Sequence, residues 1–283
     1  MPSQDAEVLG LIAGQGAFPL DVARSARRAG RRVTCVAFRE RTDPRIEREV
    51  SEIVWIHPGE VAAGIAAFRA AGVRDAVMAG KVPKADLLRD PESLRLDAQG
   101  RDLIAQFSDR RDDTILGRVA DFLETIGIRL LPQIELVPEL FAGEGPLGKT
   151  RPTAEQELDI AFGLPIAKAM GDLDIGQTVI VKDCAVLAVE AIEGTDAALR
   201  RAGALAPGGV AVKVAKPDQD PRFDMPAIGL ATVQTLVEAH IAVLAFEAGA
   251  TVVLERDALV READAHGIAV IGVDPHRFGG ASA

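Results

Sequence analysis

The chain is short of several things that would narrow its chemistry. It has two cysteines, Cys35 and Cys184, in 283 residues. That is too few for a disulfide framework. Both sit in apolar stretches and read as buried free thiols. The four histidines, His57, His240, His266 and His276, are scattered, so no zinc-ligand spacing forms. Positive charge is in deficit: 32 Lys and Arg against 42 Asp and Glu give a formal net charge of -10. Sequence-independent nucleic-acid binding draws on a basic surface, so no nucleic-acid partner is expected. An anionic ligand must then meet a local cationic cluster or a metal. No apolar run approaches the length of a membrane span. The start, "MPSQDAEVLGLIAG", lacks a basic n-region and a long apolar h-region, so no secretion signal is read there. A soluble, cytoplasmic protein is the expectation.

What is present argues for a packed α/β protein. The chain is 48% hydrophobic and 26% charged, which suits a globular core. Its length favours two domains. "EVLGLIAG", "RRVTCVAF", "EIVWIH" and "DAVMAG" read as buried strands, alternating with helices over "AFPLDVARSARRAG" and "GEVAAGIAAFRAAG". That alternation predicts a parallel sheet covered on both faces. Residues 85–111 read as polar and irregular. Ile115, Leu116, Val119, Phe122, Leu123 and Ile126 then fall at helical spacing, and "IRLLPQIEL" reads as a strand. The Gly- and Pro-dense "VPELFAGEGPLGKTRPT" reads as a linker.

A second α/β region opens with a capping box from Thr153 to Gln156. Pro165 inside the following helix suggests a kink or break. "TVIVKD" and "AVLAVEA" suggest a hairpin, "TDAALRRAGAL" a helix and "GVAVKVAK" a strand. After "AIGLAT" a helix is expected through "VQTLVEAHIAVLAFEAG", then strand "TVVLE", a helix and strand "IAVIGVD". The division is an N-terminal Rossmann-like domain over 1–136, a linker over 137–152 and a C-terminal mixed α/β domain over 153–283.

Several clusters carry chemistry. "GQGAFP" follows a strand and opens a helix, where backbone amides suit a phosphate. Gly14 and Gly16 keep two fingerprint positions, but the third is Pro19, and a partial fingerprint is weak. Glu40, beyond the second strand, could imitate the acid that holds a ribose. "AGKVPK" places Lys81 and Lys84 after a strand, where open α/β sheets bind ligands. In "RRDDT", Asp112 or Asp113 reads as a helix cap. "VEAIEGTDAALRR" gathers Glu190, Glu193 and Asp196 around Gly194 and Thr195. It reads either as a capped turn or as an edge for Mg²⁺ or sugar.

"AVKVAKPDQDPRFDMPAIGL" mixes Lys213, Lys216 and Arg222 with Asp218, Asp220 and Asp224, and Pro217, Pro221 and Pro226 stiffen it. Such a loop can meet phosphate oxygens with its cations and handle a proton or metal with an aspartate. It can equally be a solvated turn whose ion pairs contribute almost nothing.

Taken in order from residue 8 to 274, "GLIAGQGAFP", "AGKVPK", "LDIGQTVIV", "VLAVEAIEGTDAALRR", "VAKPDQDPRFDMPAIG" and "AVIGVD" resemble the LpxI family of UDP-2,3-diacylglucosamine pyrophosphatases. The resemblance implies two α/β domains with a ligand cleft between them. It implies Mg²⁺-dependent attack of water on the phosphorus next to the sugar of UDP-2,3-diacylglucosamine. The products are UMP and 2,3-diacylglucosamine 1-phosphate (lipid X), in lipid A biosynthesis. The R-x-D-x-P-x-I-G block, Arg222 to Gly229, puts the family's essential aspartate at Asp224. Lys216 and Arg222 are expected beside it as catalytic cations. Gly14, Gly16, Lys81, Glu190, Gly194, Thr195 and Asp196 are expected to bind substrate, and Asp224 with Glu193 to hold Mg²⁺. Gln15 stands where a third glycine is common in the family. The substrate implies transient contact with the cytoplasmic face of the inner membrane, and a homodimer is left open. Two rivals stand: a nicotinamide-dependent oxidoreductase using the first domain, and a non-catalytic carrier of the lipid-linked sugar nucleotide.

Overall fold

Short runs of Val, Leu, Ile and Ala, apolar at nearly every position, set the architecture. The computed structural model describes residues 7–81, 95–105, 112–216, 219–223 and 225–278. Among these the chain forms two compact units. The first holds Met1–Pro138 with Asp220–Asp224. The second holds Glu139–Gln219 with Met225–Ala283.

In the first unit, β1 (Val8–Ala13), β2 (Arg32–Phe38), β3 (Glu52–Ile56), β4 (Asp75–Ala79) and β5 (Arg129–Leu130) form one sheet in the order β3-β2-β1-β4-β5. All its pairings are parallel, a Rossmann-like layout. Helix α1 (Phe18–Arg28) carries Pro19 in its first turn, where a missing N–H costs nothing. It buries Phe18, Leu20, Val22, Ala23 and Ala26. Helix α2 (Val61–Ala71) ends on Gly72 in the left-handed region.

Residues read as irregular include helix α3 (Ala98–Ile104), whose cap Asp97 accepts a hydrogen bond from the Gly100 N–H at 2.7 Å. Helix α4 (Asp112–Thr125) buries Ala120 and Leu123 in the unit's core, with Leu116, Val119 and Ile126 packed against it. The strand expected over "IRLLPQIEL" stops at Leu130, and Gln133–Leu136 is the short helix α5. Pro132 cannot donate to a ladder. Beyond it the Gln133 side chain is buried and donates to the Met78 carbonyl at 2.7 Å.

In the second unit, β6 (Gly145–Pro146), β7 (Thr178–Lys182), β8 (Ala185–Val189), β9 (Val210–Lys213), β11 (Val243–Glu247) and β13 (Ala269–Val273) form a sheet in the order β6-β13-β11-β9-β7-β8. β9, β11 and β13 run parallel, and β7 and β8 form the expected antiparallel pair. A small parallel pair joins β10 (Ala227–Ile228) to β12 (Val252–Val253).

Alternation along the strands feeds two cores. Val210 and Val212 of β9, with Val243 and Ala245 of β11, pack on one side with Ile160, Leu164 and Ala167 of helix α6 (Ala154–Asp172). Ala211, Leu244 and Phe246 face the other side, with residues of α7 (Thr195–Leu205), α8 (Leu230–Glu238) and α9 (Arg256–Ala265). Strands covered on both faces read as continuous apolar runs.

The Thr153–Gln156 capping box is formed in both directions. Helix α6 passes through Pro165 without ending there. The helix expected through "VQTLVEAHIAVLAFEAG" ends at Glu238, and its second half is β11. His240 takes a left-handed φ of 53° just past the helix end, and the apolar "VLAF" that follows is buried on both sheet faces. One thiol also departs from expectation: Cys35 is buried, but Cys184 is exposed in the turn after β7.

Candidate functional site

Two clusters lie where parallel strands of the sheets end, and a third holds the Pro-rich segment. In the first unit the loops after β1 and β4 close on each other. The Gly14 N–H donates to the Ala79 carbonyl at 2.8 Å. Gln15 and Lys81 exchange backbone hydrogen bonds of 2.8 and 3.0 Å. Only glycine permits this approach: a Cβ on Gly14 would stand 2.7 Å from the Lys81 carbonyl oxygen, and one on Gly80, at φ +87°, 2.7 Å from that of Gln15. Two amides that a dinucleotide fingerprint would turn toward a pyrophosphate are therefore spent within the protein. This geometry does not favour the nicotinamide reading. Gly16 and Lys81 remain exposed.

Beside this closure, after β1 and β2, opens a cavity of about 680 Å³, whose lining includes Gln15, Gly16, Glu40, Arg41, Thr42 and Trp55. The Thr42 hydroxyl donates to the Ala13 carbonyl at 2.5 Å and pins this turn to β1. The Trp55 indole N–H donates to Glu47 Oε1 at 2.9 Å, which fixes the ring on β3.

In the second unit the carboxyl ends of β9 and β11 gather charge. Lys213, the last residue of β9, is only 5% exposed. Its Nζ donates to Thr195 Oγ1 at 3.0 Å and Thr178 Oγ1 at 3.3 Å, and lies 3.8 Å from Glu190 Oε2. The Thr195 hydroxyl in turn donates to Glu190 Oε1 at 2.8 Å. A buried ammonium needs such a set of acceptors and an opposite charge. Thr195 opens helix α7, and Gly194 before it takes φ 84°.

Three residues beyond Lys213, Lys216 Nζ donates to Asp174 Oδ1 at 2.6 Å, and its backbone N–H donates to Gln219 Oε1 at 2.9 Å. Lys168 of α6 donates to Glu247 Oε2 at 2.6 Å, and the Ala215 N–H binds the same oxygen at 2.8 Å. Lys168, Glu247 and Thr178 were missed in the sequence. The readable signal was a charged residue closing a buried strand, as Glu247 closes β11.

The structure places the remaining candidates differently. Glu193 forms an ion pair with Arg201, whose guanidinium also donates to the Val189 carbonyl at 2.6 Å. Asp196 is exposed in the first turn of α7. Arg222 belongs to the first unit. It forks onto Asp220 with hydrogen bonds of 2.7–3.1 Å and reaches Glu124 at 3.2 Å. Burial pushes the Asp220 carboxyl up, but its hydrogen bonds and charge contact with Arg222 outweigh that and hold it below the usual carboxylate range. Phe223 is buried in the core of the first unit, and the Pro221 carbonyl accepts from the Gln133 N–H at 2.9 Å. Asp224, Asp218, Pro217, Lys84, Arg110 and Arg111 lie outside the described residues. Among the described residues no group of three or more His, Cys, Asp or Glu side chains could hold a metal. Of the two expected Mg²⁺ ligands, Glu193 is paired with Arg201 and Asp224 lies outside the described residues.

Known proteins resemble the chain end to end. The family model for the LpxI N-terminal domain matches residues 8–140, and that for the LpxI C-terminal domain matches 143–271. A curated relative from Caulobacter vibrioides, the UDP-2,3-diacylglucosamine pyrophosphatase LpxI, is 37% identical over 279 residues, 94% of this chain and 98% of the relative. Among solved structures, the biotin carboxylase domain of a single-chain bacterial carboxylase aligns with 65% of this chain and 37% of that one. Its identity is 15% and its TM-score 0.23, too low to bear on the argument. Both family domains follow in order along one chain, and the identity runs almost the full length. The chain therefore belongs to the LpxI family.

Proposed function

We propose that this chain hydrolyses the pyrophosphate bond of UDP-2,3-diacylglucosamine to UMP and 2,3-diacylglucosamine 1-phosphate, a step of lipid A biosynthesis. The observation that carries the reading is the 37% identity to the Caulobacter vibrioides pyrophosphatase over 94% of the chain. The chemistry asks for little covalent work. Water attacks the phosphorus next to the sugar, and the bond to the UMP oxygen breaks. Negative charge then grows on the leaving phosphate, so catalysis rests on positioning and on preorganised positive charge.

Lys216 supplies that charge, with Asp174 fixing its ammonium. Lys213 adds a second ammonium near the end of the same strand, held by Thr178, Thr195 and Glu190. Asp224 orients the attacking water and takes its proton. Arg222, shared between Asp220 and Glu124, acts by fixing the segment that leads into Asp224. Mg²⁺ belongs to this reading, with Asp224 as its protein ligand, and when bound it would neutralise pyrophosphate oxygens. The diacyl substrate brings the protein transiently to the cytoplasmic face of the inner membrane. No helix among the described residues is long and apolar enough to cross it.

The test is UMP release from UDP-2,3-diacylglucosamine by purified protein, with Mg²⁺ or with EDTA, in ¹⁸O water. The expected result is Mg²⁺-dependent UMP, with the label in the lipid product. Tight binding of substrate without UMP would replace the reading with a carrier. Label in UMP would move the attack to the other phosphorus.

A further inference from the structure

An ion pair that the hydrolysis described above does not use holds the start of the Pro-rich segment. The β9–β11 ladder ends where Lys213 pairs with Phe246. Past that point the backbone needs other partners, since a buried N–H or C=O left alone is costly. Three successive amides find three different acceptors. The Val214 N–H donates to the Gln177 carbonyl at 2.9 Å, the Ala215 N–H to Glu247 Oε2 at 2.8 Å and the Lys216 N–H to Gln219 Oε1 at 2.9 Å.

Ala215, 6% exposed, is gripped at both of its backbone polar groups by one pair of side chains. Lys168 Nζ donates to the Ala215 carbonyl at 3.0 Å and to Glu247 Oε2 at 2.6 Å. That same Glu247 oxygen accepts from the Ala215 N–H. Hydrogen bonds to charged groups are the shorter and stronger kind. Lys168 comes from α6 and Glu247 from the end of β11, and both elements bury residues in one core, Leu164 and Ala167 with Val243 and Ala245. A partly buried ion pair is weak evidence of stability, because apolar residues of similar size often serve as well. Its placement argues for positioning. The next residue is Lys216, whose ammonium is directed onto Asp174. Gln219, which accepts from the Lys216 N–H, also accepts from Gln177 Nε2 at 3.0 Å.

We propose that Lys168 and Glu247 are positioning residues: they clamp the Ala215 peptide and so aim Lys216 at the pyrophosphate. The proposal rests on the pyrophosphatase reading, in which Lys216 supplies positive charge. Misplacing such a group by about 1 Å can cost on the order of 10²-fold in rate.

The test compares wild type, Lys168→Met, Glu247→Leu, the double variant and Glu247→Gln in steady-state hydrolysis of UDP-2,3-diacylglucosamine, each shown folded by circular dichroism. Lys168→Met and Glu247→Leu should each lower kcat about 10- to 100-fold and leave KM within about threefold. Glu247→Gln should stay within about threefold of wild type, because one amide oxygen can accept both hydrogen bonds that Oε2 accepts. The double variant should be as slow as the single ones, since residues that act as a unit are not additive. A pair that only balances charge predicts recovery once both charges are gone. Independently of activity, the Ala215 amide should exchange with solvent about tenfold faster in Glu247→Leu than in wild type or Glu247→Gln, read by NMR.

Full kcat in the double variant beside an active wild type would overturn the proposal alone. So would equal losses in Glu247→Gln and Glu247→Leu, or an Ala215 amide that exchanges alike in every variant. A wild type that releases no UMP would instead overturn the pyrophosphatase reading and the aiming of Lys216 with it, while the exchange contrast would still report the clamp.

Discussion

Single residues here are set by their surroundings more than by their type. Lys213 and Lys81 are both lysines that follow strands. Lys213 is 5% exposed and its Nζ is held by two threonine hydroxyls beside Glu190, whereas Lys81 is exposed. The two cysteines divide in the same way. Burial pushes the Cys35 thiol up to about 12, so almost no thiolate forms at pH 8, and the thiolate is the reacting species. Cys184 is exposed. A thiol reagent such as DTNB at pH 8 should therefore modify one cysteine of the native protein, found at Cys184 by peptide mapping, and the second only in denaturant. Rapid native labelling of Cys35 would contradict its burial on β2.

Among the elements, the segment around Phe223 has the most to say about packing. It leaves the second unit after Gln219, contributes Asp220–Asp224 to the first, and returns at Met225. Phe223 is 2% exposed among Val36, Ile56, Phe68 and Met78, and Arg222 lies over its ring at 5.7 Å. Emptying such a site costs about 3–5 kcal/mol. Trp55 lies in the same unit, so its emission reports that unit's unfolding. Phe223→Ala should lower the Trp55-monitored stability in guanidinium by about 3 kcal/mol, and Phe223→Leu by less. An unchanged midpoint for Phe223→Ala would contradict the docking.

The sequence was silent about this segment's destination. Its prolines mark stiffness, but nothing in "PRFDM" says which core Phe223 fills, because the residues of that core lie far back in the chain, from Val36 to Leu130. The same limit explains the misread "VLAFEAG". Four apolar residues fit a helix or a buried strand equally by periodicity, and only pairing with β9 and β13 decides for β11. Local signals fared better. The Thr153–Gln156 box, the first four strands and the β7–β8 hairpin are short-range chemistry and stand as read.

For the whole molecule, the acidic excess and the three lysines near the ends of β9 and α6 make a single argument. A chain of net charge -10 must concentrate cations where it meets an anion, and Lys168, Lys213 and Lys216 are gathered within one unit. Strand order and register could not be read from spacing, because they join strands far apart in sequence, and the Lys213–Thr195–Glu190 contacts, though only 18 and 5 residues apart, depend on how the chain folds back between β8 and β9. The N-terminal glycines were legible as a special turn, but not that Gly14 and Gly80 let the loops after β1 and β4 close on each other. The central claim is that the Pro-rich segment carries the reaction through Asp224. Its most direct measurement is the rate of UMP release by Asp224→Ala beside wild type, both shown folded by circular dichroism. The account predicts a loss on the order of 10² or more, with substrate still bound. A folded Asp224→Ala protein with full activity would contradict it.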